Sequence, residues 1–208
     1  MKNYKEIIRH YENCLHKHGD THLGVDWPNE EDVLKRFKVM MELITFKGHK
    51  DNVTLLDFGC GTAHLLDYIM KNGFAIVNYS GLDISEKFVT VCKSKYPDKN
   101  FVCGDVLNKD FTVPIFDYVV MNGVFTEKRD LTFEEMWVYF TQLLSRVFDL
   151  ANKGIAFNVM SKHVDWERED LFHVPLDMLA DFLCKNVTRN FVVRNDYGLY
   201  EYTVYIYK

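Results

Sequence analysis

From Val53 onward the chain alternates short apolar runs with amphipathic stretches, and this alternation constrains its fold more than any other feature. The runs are Val53–Phe58, Ala75–Leu82, Phe101–Cys103, Phe116–Met121 and Gly154–Val159. They are short and apolar on successive residues, the pattern of strands covered on both faces. Between them His64–Lys71, Ser85–Ser94 and Thr132–Ala151 read as helices, the third opened by a capping box of Thr132 and Glu135. Strands alternating with helices predict an α/β fold with a parallel sheet between helical layers. A further helix over Leu176–Cys184 precedes two strand-like segments, Phe191–Arg194 and Tyr200–Tyr207. The link around Asp196-Tyr197-Gly198 is too short for a parallel crossover, so this pair is expected as an antiparallel hairpin.

The first 50 residues have another texture. Ile7, Ile8, Tyr11 and Leu15 recur at helical spacing. Residues 18–28 then break the pattern with two glycines and a proline. A second helix is expected from about Glu30, with Val33, Phe37, Met40, Met41 and Ile44 on one stripe and an acidic first turn. The chain reads as a single domain, 1–208, in which 1–50 form a helical cap and 51–208 the core.

Hydrophobic residues make up 48% of the 208, too many for a disordered chain. The formal net charge of −5 gives no general attraction for nucleic acid or an anionic membrane. No stretch approaches the roughly 20 apolar residues of a membrane span, and Met1-Lys2-Asn3-Tyr4-Lys5-Glu6 lacks the apolar core of a secretory signal. Five cysteines, Cys14, Cys60, Cys92, Cys103 and Cys184, are scattered without a CxxC pair. A reduced, cytoplasmic, soluble protein with a small-molecule partner, as monomer or homodimer, is the expectation.

Chemistry concentrates at Asp57-Phe58-Gly59-Cys60-Gly61-Thr62-Ala63-His64, where the first strand meets its helix. Glycines there let backbone approach a ligand, although a lone GxG also serves as a plain tight turn. Two acids sharpen the reading. Asp83 ends the second strand at the distance from the glycines at which an acid meets ribose hydroxyls, and Asp105 follows the third strand. All three features fall at carboxyl ends of strands, where open α/β sheets bind ligands, and together they indicate a nucleoside-bearing cofactor. The nicotinamide fingerprint GxGxxG needs glycine where His64 stands, and GxxxxGK[ST] is absent. S-adenosylmethionine (SAM) fits better.

Asp57-x-Gly59-x-Gly61, Leu82-Asp83-Ile84-Ser85, Gly104-Asp105-Val106 and Phe116-Asp117-Tyr118-Val119-Val120 resemble the ordered motifs of class I SAM-dependent methyltransferases, from about Val53 to Lys208. The loop departs from that pattern at Ala63, where a third glycine is frequent. The resemblance implies a three-layer Rossmann-like methyltransferase fold: a seven-stranded, mostly parallel sheet closed by an antiparallel C-terminal hairpin, with the N-terminal cap over the active site. His18-Gly19-Asp20-Thr21, Gly24-Val25-Asp26-Trp27, Gly154-Ile155-Ala156-Phe157-Asn158 and Arg194-Asn195-Asp196-Tyr197 are similar to a narrower group of small bacterial methyltransferases associated with surface-polysaccharide biosynthesis. Asn195 stands where that group's pattern has histidine.

By this resemblance, Gly59, Cys60 and Gly61 contact the methionine end of SAM, with Asp57 near its amino group. Asp83 binds the ribose, Ile84 the adenine face, and Asp105 with Val106 the adenine edge. Asn122 lies near the methionine part and the acceptor. Arg36 is expected to pair with the SAM carboxylate, against the alternative of a solvated arginine. Candidates for a base or an orienting group are His18, Asn158, Asp165 and Asp196, with Asp26, Trp27 and Tyr200 walling the acceptor pocket. His163 and His173 are expected as exposed loop residues, and no metal site is expected, since His10, His16, His18 and His22 form no strong ligand pattern.

The function implied is methyl transfer from SAM, leaving S-adenosylhomocysteine (SAH), to a small polar acceptor. The expected chemistry is O-methylation of a sugar, nucleotide sugar or phosphorylated glycan modifier for a bacterial surface polysaccharide. An amine or amino-sugar N-methyltransferase and a non-catalytic SAM-binding module are the alternatives, with a nicotinamide dehydrogenase third. Asn122-Gly123-Val124-Phe125 differs from the [ND]PP[YF] box of many amide and nucleobase N-methyltransferases.

Overall fold

The structure is a computed structural model that describes residues 4–46, 48 and 52–208. The expected junction at 50/51 and the opening Met1-Lys2-Asn3 lie outside the described residues. In chain order the elements are α1 (Lys5–His18), a 3-10 turn (His22–Val25), α2 (Glu30–Thr45), β1 (Val53–Phe58), α3 (His64–Lys71), β2 (Val77–Asp83), α4 (Glu86–Lys95) and β3 (Asn100–Cys103). There follow β4 (Phe116–Phe125), α5 (Phe133–Phe148), β5 (Ala151–Ser161), β6 (His173–Val174), α6 (Leu176–Asn186), β7 (Phe191–Arg194) and β8 (Glu201–Tyr207).

The strands form one sheet in the order β3-β2-β1-β4-β5-β8-β7, with β6 paired to β5 off that path. β1 to β5 run parallel, and β8 lies antiparallel to both β5 and β7. This is the Rossmann-like methyltransferase arrangement expected, with β6 as an eighth strand beyond the seven. Two residues are too short to show a periodicity, so β6 left no trace in the pattern.

Alternate side chains of each strand enter different cores. Leu56, Val119 and Met121 join Tyr202, Val204 and Ile206 against Phe140 of α5 and Leu183 of α6. Their neighbours Leu55, Tyr118 and Val120 join Tyr205 and Tyr207 against Met40 of α2, Leu66 of α3 and Val89 of α4. Burial on both faces is why the strands read as continuous apolar runs. The capping box opening α5 is present: Glu135 N–H donates to Thr132 Oγ1 at 3.2 Å, and Thr132 N–H to Glu135 Oε2 at 2.9 Å.

Several details differ from the sequence expectation. Ala151, expected at the end of a helix, opens β5, and α5 stops at Phe148. Ala75 and Ile76 lie outside β2, which begins at Val77. α2 sits in a helical layer, tied to β8 where Tyr207 donates to the Leu43 carbonyl at 3.1 Å. β4 runs past Met121 to Phe125, and its register with β5 shifts between those two residues. Gly123 sits in that bulge at φ 80°, and its N–H turns to the Asn158 side chain instead of the ladder. The chain winds outward through β2 and β3 on one side of β1 and through β4 and β5 on the other, so the crevice opens at the carboxyl ends of β1 and β4. Among the described residues no helix is long and apolar enough to cross a membrane.

Candidate active site

Gly59 (φ 74°) and Gly61 (φ 52°) turn the chain sharply out of β1, in a region of backbone space that side chains disfavour. The turn is fastened to the end of β2. Gly59 and Cys60 donate to the Leu82 carbonyl at 2.7 and 3.0 Å. Asp83 accepts the Gly61 N–H on Oδ2 at 3.0 Å and the Ser85 N–H on Oδ1 at 2.9 Å. Burial pushes the Asp83 carboxyl up to about 6, and these backbone donors hold it from rising further. Asp57 is 3% exposed and accepts the Tyr79 hydroxyl at 2.7 Å; burial pushes its carboxyl up to about 7.

Asp105 stands beyond β3, where its Oδ1 accepts the Leu107 N–H at 2.9 Å and its Oδ2 takes the Tyr4 hydroxyl. Tyr4 stacks on Tyr139, ring centroids 4.9 Å apart. The pair brings α5 and the start of α1 together over the β3 end of the crevice.

These groups line one cavity with about 160 Å³ open to the centres of water molecules. Its floor includes Asp57, Gly59, Cys60, Gly61, Asp83, Ile84, Asp105, Val106 and Asn122, nine of the ten residues expected at the cofactor. Its roof is Tyr4 with Ile7, Ile8 and Tyr11 of α1, then Val25 of the 3-10 turn and Trp27 just after it. Asn122 Oδ1 is buried there without a hydrogen-bond partner among the described residues.

The tenth, Arg36, lies outside the lining. Its Nε donates to both Glu201 oxygens at 3.0 and 2.9 Å, and its guanidinium lies 4.1 Å from the Trp27 ring centroid. Asn158 is fully buried behind β4: its Oδ1 accepts the Gly123 N–H at 2.7 Å, and its Nδ2 donates to Glu201 Oε1 at 3.0 Å. His18 sits at the end of α1, its carbonyl taking the Thr21 hydroxyl at 3.1 Å. Asp165 takes the Tyr200 hydroxyl at 2.7 Å, and Asp196 pairs with Arg194 at 2.8 Å; neither Asp165, Asp196 nor Tyr200 lines the cavity. His173, expected in an exposed loop, is 4% exposed within β6 and bonded to the Ser161 carbonyl at 2.6 Å.

Asp26 also stands behind the lining, 2.7 Å from His10 Nε2, with Cys14 Sγ 3.8 Å from that nitrogen. These three place potential metal-ligating atoms within 4.8 Å of one another. The imidazole and carboxylate already satisfy each other and tie α1 to the loop before Trp27.

Tyr4, Tyr11, His64 and Ser85 also border the cavity, and none of them was among the expected site residues. The signal for Tyr11 was the stripe Ile7, Ile8, Tyr11, which reads as a packing face and instead roofs the cavity. His64 Nε2 bonds Asp20 Oδ1 at 2.8 Å and Thr62 Oγ1 at 3.0 Å, and burial holds its imidazole below the usual range.

Residues 56–137, from β1 into α5, match a family model described as a methyltransferase domain. The chain is 26% identical over 163 residues to the putative methyltransferase Rv1506c of Mycobacterium tuberculosis, covering 76% of this chain and 95% of that protein. The chain is a SAM-dependent methyltransferase. Solved structures share the fold of this methyltransferase across nearly its whole length. Magnesium protoporphyrin IX methyltransferase of Synechocystis with bound SAM superposes with a TM-score of 0.65 at 16% identity, covering 100% of this chain and 98% of that one. The plantazolicin methyltransferase BamL, in complex with a desmethylPZN analog and SAH, gives 0.67 at 13% identity, with 99% of each chain covered.

Proposed function

We propose that this methyltransferase moves the methyl group of SAM to a small acceptor held between α1, Trp27 and the carboxyl edge of β4. Residues 1–208 act in this reading as one domain, with α1 and the 3-10 turn as the cap. The observation that carries the reading is the Asp83–Gly61 junction, which sets a buried carboxylate and a glycine turn on the same cavity floor. Asp83 offers its remaining lone pairs to the ribose hydroxyls, Ile84 packs on adenine, and Asp105 and Val106 border the adenine edge. Gly59, Cys60 and Gly61 lie along the methionine part, with Asp57 and the free oxygen of Asn122 toward its ammonium group.

In the transfer, the acceptor's lone pair forms the new bond to the methyl carbon as the bond from carbon to sulfur breaks. The sulfonium becomes the neutral thioether of SAH, and any proton on the acceptor leaves to water. The protein's task is alignment, with the attacking atom about 3–3.5 Å from the methyl carbon.

Two features support an acceptor class. The roof is apolar and aromatic, suited to a flat or apolar body. On the acceptor side, burial pushes the Tyr11 hydroxyl far above its usual range, and Asn122 carries no titratable proton, so neither takes a proton at neutral pH. An acceptor that arrives already nucleophilic is therefore favoured, above all an acidic oxygen such as a carboxylate or phosphate. The polysaccharide association rests on the motif resemblance alone.

The test is SAH binding by calorimetry, then SAH release from SAM with panels of carboxylic acids, sugar phosphates, nucleotide sugars and amines. Turnover confined to the acids or phosphates supports the reading. Turnover with amines alone replaces the acidic oxygen by nitrogen, and absent SAH binding removes the reading altogether.

A further inference from the structure

Three polar side chains, from Arg36, Glu201 and Asn158, form a chain behind the cavity and end on Gly123, which lines it. Arg36 on α2 grips Glu201 at the start of β8, with contacts from Nε at 3.0 and 2.9 Å and from Nη2 at 2.9 Å. Glu201 Oε1 accepts Asn158 Nδ2 at 3.0 Å, and Asn158 Oδ1 accepts the Gly123 N–H at 2.7 Å. The side chains of Arg36 and Glu201 are 12% and 1% exposed. Removing such charges from water costs several kcal/mol per ion, and the pair's attraction offsets that cost at best. Stability alone is therefore a poor account of the arrangement.

Its ends explain it better. At one end Gly123 lies in the β4 bulge beside Asn122, which lines the cavity and whose buried Oδ1 has no hydrogen-bond partner among the described residues. At the other the Arg36 guanidinium supports the Trp27 ring at 4.1 Å. The two ends meet, because a Cβ on Gly123 would lie 2.6 Å from Trp27 Cζ2. The bulge and the indole thus form one wall, and the ion pair is clamped to both halves. In the sheet order that wall belongs to β4, whereas Asp83 ends β2 and Asp105 follows β3.

We infer that Arg36, Glu201 and Asn158 are positioning residues for methyl transfer, which set the Asn122–Gly123 bulge and the Trp27 ring against the sulfonium end of the cofactor. The inference rests on the cofactor orientation proposed above. It gives Arg36 a role through Trp27 and Glu201 instead of a direct contact with the cofactor carboxylate.

The test compares SAH with adenosine, which lacks the amino-acid arm and reaches only the β2–β3 end. In Arg36→Met/Glu201→Met an apolar pair of similar length replaces the ions, an exchange that buried pairs often tolerate. The expected result is a melting temperature near that of the wild type, adenosine affinity within twofold, and SAH affinity at least tenfold weaker. Equal weakening of both ligands, or no weakening of SAH in the folded variant, overturns the inference. If the double variant does not fold, Arg36→Lys decides: it keeps the charge but loses the planar fork, and the same selective loss of SAH is expected, about threefold. Wild-type protein that binds adenosine but not SAH, or neither, defeats the proposed cofactor site itself and is seen before any variant is made.

Discussion

Asp83 takes the Gly61 N–H at 3.0 Å, so the acid that ends β2 also fixes the glycine turn that leaves β1. One carboxylate therefore shapes the floor of the cavity and presents itself there. Its pH response should show both roles. Ribose hydroxyls donate to the ionised form, and burial has already raised the free carboxyl to about 6. SAH affinity should hold above that value and fall about tenfold for each pH unit below it, as one proton competes with the ligand. Asp83→Asn should flatten this dependence and lower affinity at pH 8 by roughly 30-fold or more, the loss of a charge-assisted pair of hydrogen bonds. Calorimetry from pH 5 to 8 checks both; a pH profile unchanged by the substitution would remove Asp83 from the ribose.

Asp57 sits deeper, with the Tyr79 hydroxyl 2.7 Å away and a carboxyl raised to about 7 by burial. The folded protein thus holds a proton that the unfolded chain gives up near 4, the ordinary aspartate range. Between those values the folded state binds more protons, so the contribution to stability falls as pH rises from about 4 to about 7. Asp83 acts with the same sign up to about 6. Carboxyls held low by partners, such as Glu12 and Asp117, act oppositely but only in more acidic solution, and the buried His64, held below its usual range, also acts oppositely below about 6.5. The slope of melting temperature against pH between 5.5 and 8 should therefore be more negative in the wild type than in Asp57→Asn. An ammonium group brought near Asp57 favours its ionised form, so SAH binding at pH 7 should release a fraction of a proton. That appears as a binding enthalpy that differs between phosphate and Tris buffers, and identical enthalpies would separate Asp57 from the ligand.

Glu12 clasps α1 to the edge of α4: it accepts Ser85 Oγ at 2.6 Å and Lys87 Nζ at 2.7 Å. Ser85 and the neighbouring α1 residues Ile8 and Tyr11 line the cavity, so this clasp closes its rim. A partly exposed pair of this kind contributes about 0–1 kcal/mol to folding. Glu12→Ala should then leave the melting temperature within a few degrees while SAH dissociates several-fold faster in stopped flow. An unchanged dissociation rate would mean that ligand exchange does not pass beneath α1.

The sheet was legible because two-sided burial writes itself into the sequence as runs such as Leu55-Leu56 and Tyr118-Val119-Val120. The floor of the cavity was legible because glycines with positive φ and acids at strand ends keep a fixed order along the chain. The roof was not. Ile7, Ile8 and Tyr11 make the same helical stripe whether they face a core or a cavity, and spacing cannot tell the two apart. The link of Arg36 and Asn158 to Glu201 escaped for a related reason: the three meet across α2, β5 and β8, and a buried ion pair distant in sequence has no local signature. His18, Asp165 and Asp196 lie outside the cavity lining, since loop position alone does not say which way a side chain is held.

Gly123 and Trp27 should be energetically coupled. Gly123 has φ 80°, and an added Cβ would stand 2.6 Å from Trp27 Cζ2 and 3.2 Å from Cη2, the far ring of the indole. Gly123→Ala therefore meets two penalties: a left-handed backbone position that costs about 1–2 kcal/mol for a residue with Cβ, and an overlap with the indole. Trp27→Phe removes the ring atoms that would be struck and leaves the backbone penalty untouched. The double variant should be more stable than the sum of the single effects predicts, by about 1 kcal/mol, within the range for residues in contact. Urea unfolding of the four proteins measures that difference. Additivity within error would show that the ring moves aside freely, and with it that Trp27 is not held against the β4 bulge.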